Sequence, residues 1–234
     1  MSKRDFRAAA ARCWELREQA QEEARRRGNQ DPGLRAGVTS GGHLDPLADL
    51  VRGILVDSGL SPDCIHTGRN TVELPGFFRP EKKWDLVAVD KGTVVAAVEF
   101  KSILGSYGNN MNNRVEEALG SATDLRYAAE ADLVGVQPPW LGYVFLMTEE
   151  PQSTSPVRVQ QPHFRVDDAF VKASYVDRAT WLCRRLVMKR LYNAACLLTG
   201  DGSGRPEGIK EPAADLTWAK FEASLRGRVA EFLA

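Results

Sequence analysis

Two runs, Trp84-Asp85-Leu86-Val87-Ala88-Val89-Asp90 and Val94-Val95-Ala96-Ala97-Val98-Glu99-Phe100-Lys101, stand on either side of Lys91-Gly92-Thr93. Each is short and almost purely apolar, which suits consecutive β-strands that are buried rather than solvated. Asp90-Lys91-Gly92 reads as the hairpin turn between them, with Gly able to take positive φ. Whatever this chain folds into must therefore bury an antiparallel pair near its middle.

The few charges in that pair are informative because a buried charge needs a partner or a metal. On a strand, residues two apart point the same way, so Glu99 and Lys101 share a face while Phe100 turns into the core. The turn decides where Asp85 falls. With Val89 opposite Thr93, Asp85 lies opposite Ala97 and joins the face of Glu99 and Lys101; a slip of one residue sends it to the other face. In the favourable register Asp85 and Glu99 supply hard oxygen ligands, and Phe100 adds its backbone carbonyl. Mg²⁺ prefers such ligands and keeps several waters. Lys101 can orient an attacking water or stabilise negative charge developing on a phosphodiester. A lone Glu-x-Lys more often marks a solvated face with an incidental ion pair, so the apolar flanks carry the weight here.

The chain has 234 residues, enough for one domain with a substantial core, and we expect a single domain over 1–234 with a core at about 44–148. Helical additions are expected at 3–27 and 173–233. Hydrophobic content of 43% with 26% charged is ordinary for a globular protein, and no apolar run is long enough to span a membrane. The start, Met1-Ser2-Lys3-Arg4-Asp5, leads into a charged helix rather than a signal peptide, which points to the cytosol. Cys13, Cys64, Cys183 and Cys196 are scattered without a Cys-x-x-Cys pair, so free thiols are expected. Lys plus Arg equals Asp plus Glu at 31 each, which leaves a local basic patch as the only electrostatic route to nucleic acid. Arg184, Arg185, Lys189 and Arg190 offer one, beside an apolar helical face of Trp181, Leu182, Leu186, Leu191 and Leu198.

Along the chain, periodicity predicts helices over 3–27, Asp45 to Asp57, from the Asn-rich segment 105–114 to about Glu130, about 173–198 and 216–233. Strands are predicted at about 70–74, in the central pair, and at Gly142 to Thr148. Met111, Val115, Ala118, Ala122, Leu125 and Ala129 make one face of the long helix, which should pack on the sheet. Its start carries Asn109, Asn110, Asn112, Asn113 and Arg114. One Asn can cap the helix, but four exceed that need, and Asn amides suit phosphates and base edges. The order fits a mixed central α/β sheet flanked by helices, with extra N- and C-terminal helices.

The acid followed by acid-x-Lys, Asp85 and then Glu99-Phe100-Lys101, resembles the PD-(D/E)xK nuclease superfamily, with Trp84 where a Pro often precedes the first acid. Four segments carry a narrower likeness. These are Val38-Thr39-Ser40-Gly41-Gly42-His43-Leu44-Asp45, Trp84-Asp85-Leu86, Glu99-Phe100-Lys101-Ser102 and the Asn-rich stretch Gly105 to Ala118. They are similar to the XhoI family of type II restriction endonucleases. That resemblance implies a restriction-endonuclease-like fold and a homodimer that cuts both strands of palindromic double-stranded DNA with Mg²⁺, at CTCGAG in its best-known members. It implies metal binding by Asp85 and Glu99, assistance from Lys101, and Asp45 as a possible additional acid. It further implies a bacterial cytoplasm and a companion DNA methyltransferase acting on the same site. A structure-specific or repair nuclease of the same fold is the alternative enzyme, and a catalytically silent DNA-binding module the non-enzymatic one. The intact Asp85, Glu99 and Lys101 speak against the last.

Overall fold

The computed structural model describes residues 5–26, 42–68, 72–161 and 163–234. Among these, six strands form one sheet in the order β1 (Ile65–Thr67), β4 (Leu86–Asp90), β5 (Thr93–Ile103), β6 (Trp140–Thr148), β7 (Ala194–Gly200) and β8 (Ile209–Lys210). A separate ribbon pairs β2 (Glu73–Pro75) with β3 (Glu81–Lys83). Strands β5, β6 and β7 run parallel at the centre, and the outer pairings are antiparallel. Helices α1 (Phe6–Arg26), α2 (Asp45–Asp57) and α6 (Trp218–Leu233) pack on one face through Trp14, Leu47, Ile54 and Phe221. Helices α3 (Tyr107–Glu130) and α5 (Tyr175–Met188) cover the other through Met111, Leu125, Leu182 and Leu186. A one-turn helix α4 (Pro151–Thr154) follows β6.

The hairpin of β4 and β5 reaches the required face by an unexpected route. Lys91 and Gly92 both have positive φ, 48° and 74°, which makes a two-residue turn matched to strand twist. That turn pairs Asp90 with Thr93 and Val89 with Val94, one residue away from the expected Val89–Thr93 pairing. Continued unchanged, it would leave Asp85 on the wrong face. A β-bulge at Val95 corrects it: Ala88 then opposes Ala96, Val87 opposes Ala97 and Leu86 opposes Val98. One step further, Asp85 comes opposite Glu99. The bulge's polar groups are met from outside the ladder, since the Val95 carbonyl accepts from Arg228 Nε at 3.1 Å and Val94 N donates to the Val134 carbonyl at 3.0 Å.

Helix α2 matches its expected span, α3 ends at Glu130 as expected, and α1 falls within the expected 3–27 as far as the described residues reach. The helix expected over 173–198 is instead α5 followed by β7. Ala194 to Gly200 is buried on both faces between β6 and β8, so it lacks the alternation of a half-exposed strand and reads as more helix. The break falls at Arg190, whose φ is +55°, and Asn193 then locks to β6 by accepting from Leu141 N at 2.8 Å. The C-terminal addition therefore contributes two strands to the central sheet. The strand expected near 70–74 belongs to the β2–β3 ribbon, while the sheet's own first strand is Ile65–Thr67. Residues 38–41 of the first family segment lie outside the described residues.

Candidate active site

Asp85 sits just before β4 and Glu99 near the end of β5, on the sheet face covered by α3 and α5. Asp85 Oδ2 accepts from Phe100 N at 2.8 Å, which ties the two strand ends together. In a β-strand the N–H and C=O of one residue point to the same edge, so the Phe100 carbonyl is directed toward Asp85 as well. Glu99 is 4% exposed. Its Oε1 is 2.5 Å from Lys101 Nζ and its Oε2 is 2.8 Å from Lys82 Nζ. Beneath it Tyr143, its register partner on β6, packs edge-on against Phe145 and Tyr192 and forms an aromatic floor.

The charges are coupled. Burial, and next the Glu99 carboxylate, push the Asp85 carboxyl up to about 6. Burial acts the same way on Glu99, but Lys101 and Lys82 outweigh it and hold that carboxyl below its ordinary range. Burial also opposes the Lys101 charge, yet Glu99 and Asp85 raise its affinity for a proton. The chain of charges continues outward, with Lys101 Nζ 3.9 Å from Glu117 and Glu117 2.5 Å from Arg114. Two carboxylates and a carbonyl at one strand end are hard oxygen donors. Among the described residues no group of three or more His, Cys, Asp or Glu side chains gathers for a metal. This donor set fits a divalent cation that keeps much of its own water, as Mg²⁺ does.

Asp85, Glu99, Phe100 and Lys101 are thus brought together. Asp45 is exposed at the first turn of α2, next to Asp49, and among the described residues no hydrogen bond or ion pair joins it to Asp85, Glu99 or Lys101. His43 approaches more closely, with Nε2 2.9 Å from Ser102 Oγ. Burial, together with Arg17 and Arg114, lowers its imidazole to about 4, so it is neutral near pH 7. Asn109, Asn112 and Asn113 are exposed on the first turns of α3. No Asn takes the cap: Ser106 holds that position, and Asn110 Nδ2 donates back to the Gly105 carbonyl at 3.2 Å. Arg114 joins the charge chain through Glu117. On α5, Arg184 forms a two-point ion pair with Asp215, and Arg185 pairs with Asp167 at 2.8 Å. The basic stripe is therefore partly neutralised, and its expected partners Leu191 and Leu198 fall beyond the helix.

Lys82 escaped the sequence reading. It lies on β3, outside the apolar runs, and its only signal was a position three residues before the first acid.

A mixed sheet with helices on both faces, bearing acid and acid-x-Lys at adjoining strand ends, is the architecture of a restriction-endonuclease-like nuclease. Comparison with known proteins narrows this. The family model described as restriction endonuclease XhoI matches residues 23–211. The type II restriction enzyme BstVI of Geobacillus stearothermophilus is 46% identical over 209 residues, covering 86% of this chain and 93% of that one. The type II restriction enzyme XhoI of Xanthomonas vasicola is 37% identical over 232 residues, 97% of this chain and 88% of its own. No solved structure matches the chain. The chain belongs to the XhoI restriction endonuclease family and is by class a type II restriction enzyme.

Proposed function

We propose that this protein makes double-strand cuts in palindromic duplex DNA at CTCGAG, as a Mg²⁺-dependent homodimer in the cytoplasm of a bacterial cell. The observation that carries this reading is the convergence of Asp85, Glu99 and Lys101 on one sheet face, with Lys101 Nζ 2.5 Å from Glu99. Asp85 and Glu99, with the Phe100 carbonyl, would hold the cation, which supplies charge neutralisation and a more acidic water. Lys101 lies where it can position that water and meet the negative charge that builds on the phosphate. Glu117, itself paired with Arg114, faces Lys101 at 3.9 Å. Asn109, Asn110, Asn112 and Asn113, at the start of the same helix, are proposed to face the DNA, with Arg114 linking them to the centre. Asp45 would join as a further acid only if DNA draws α2 inward. We treat the whole chain as one domain, because β7 and β8 complete the sheet that carries the site. A methyltransferase of the same specificity is the expected companion, since an unprotected genome would be cut.

Digestion of two plasmids, one with a single CTCGAG and one without, tests the proposal in Mg²⁺ and in EDTA. Linearisation of the first alone, in Mg²⁺ alone, is expected. Cutting of both would remove the specificity, and cutting at junctions or ends would favour a repair nuclease.

A further inference from the structure

Neither the acid-x-Lys pattern nor the family assignment accounts for Lys82 at this centre. Its Nζ is held on three sides. It lies 2.8 Å from Glu99 Oε2, donates to the Lys83 carbonyl at 3.0 Å, and sits 4.1 Å from the centre of the Trp84 ring. The side chain is 12% exposed, and its acidic partner 5%. Four charged side chains thus balance in the closed site: Asp85 and Glu99 against Lys82 and Lys101. A divalent cation entering this balance would add two positive charges to a buried group already neutral, a costly arrangement unless an ammonium leaves.

The geometry decides which one. Lys101 follows Glu99 on the same strand and face, is locked in the central ladder opposite Phe145, and has a second acid, Glu117, within 3.9 Å. Lys82 stands on a three-residue strand outside the central sheet, paired only with the equally short β2. The ribbon itself is fixed: Trp84 N donates to the Val72 carbonyl, and buried Asp124 accepts from Phe77 N and Phe78 N and pairs with Arg79. With the ribbon held, the Lys82 ammonium can leave Glu99 by rotation of its four-carbon stem, without movement of the strand.

We infer that Lys82 is a built-in counter-ion that occupies the cation's electrostatic place at Glu99 and is displaced when a divalent cation binds. It is a positioning residue that keeps two buried carboxylates satisfied before the cation arrives and sets how much cation the enzyme needs. This rests on the proposed cation site at Asp85 and Glu99.

The test is Mn²⁺ binding without DNA, followed by the paramagnetic resonance of free Mn²⁺. Lys82→Met should bind Mn²⁺ about tenfold tighter or more, because a competing buried charge is gone. Lys82→Arg should stay near wild type, and Glu99→Gln should lose binding. In the wild-type chain, the ¹⁵N-ammonium signal assigned to Lys82 by its absence from Lys82→Arg should be protected without Mg²⁺ and lost on saturation with it. That second measurement stands even if Lys82→Met does not fold. Unchanged or weaker Mn²⁺ binding in Lys82→Met, or a Lys82 signal indifferent to Mg²⁺, overturns the counter-ion role while leaving the cation site intact. Absence of binding in both wild type and Lys82→Met overturns the cation site and the counter-ion role together.

Discussion

At the scale of single residues, the site is built against its own stability. Asp85 has a folded-state carboxyl pushed to about 6 by burial and by Glu99, against 3.8 for the group in its ordinary state. Between those values the native cation-free chain holds a proton that the unfolded chain does not. Its contribution to stability is therefore present at acid pH and lost as pH rises through about 6. Asp85→Asn removes that penalty, so the cation-free variant should melt a few degrees above wild type at pH 8 by calorimetry, and Mg²⁺ should no longer raise its melting temperature. Lys101→Ala should leave duplex binding in place but lower the single-turnover cleavage rate by about 10²–10³-fold, since Lys101 is assigned to the charge that develops during reaction. Equal losses in binding and rate would reassign it to substrate capture.

At the scale of elements, the bulge at Val95 decides whether there is a site at all. The hairpin turn alone gives the odd register, and one extra residue restores the parity that sets Asp85 beside Glu99. Deleting Val95 should leave a folded chain with no cleavage activity, readable by circular dichroism beside a nicking assay. Arg228→Met takes donors from the Val95 and Pro138 carbonyls, both bonded to it at about 3 Å, and should cost about 2–4 kcal/mol in urea unfolding. Acid-x-Lys was readable because period-2 alternation fixes which side chains share a face, and α2 and α3 were readable from their apolar stripes and stop signals. The bulge was not, since Val94-Val95 carries no local mark and its support comes from Arg228, over a hundred positions away. Strand β7 hid for a related reason: burial on both faces erases the alternation that distinguishes a strand.

At the scale of the whole molecule, two helix-covered faces give the four cysteines very different lives. Burial pushes the Cys13 and Cys183 thiols up to about 12, and Cys196 rises well above its ordinary value, whereas Cys64 is partly exposed. At pH 8 one thiol should react with a disulfide reagent while three wait for unfolding; several fast thiols would show a looser core. Among the described residues no helix is long and apolar enough to cross a membrane. The proposed homodimer predicts a species of about twice the 25.8 kDa chain mass in sedimentation equilibrium, and a single-chain mass would contradict it.

The most direct measurement of the central claim is cleavage of one end-labelled CTCGAG duplex by wild type and Glu99→Gln, each with Mg²⁺ and with EDTA. The account predicts a cut in both strands by wild type with Mg²⁺ and in no other lane. Cutting by Glu99→Gln at the wild-type rate, or by wild type in EDTA, would contradict it.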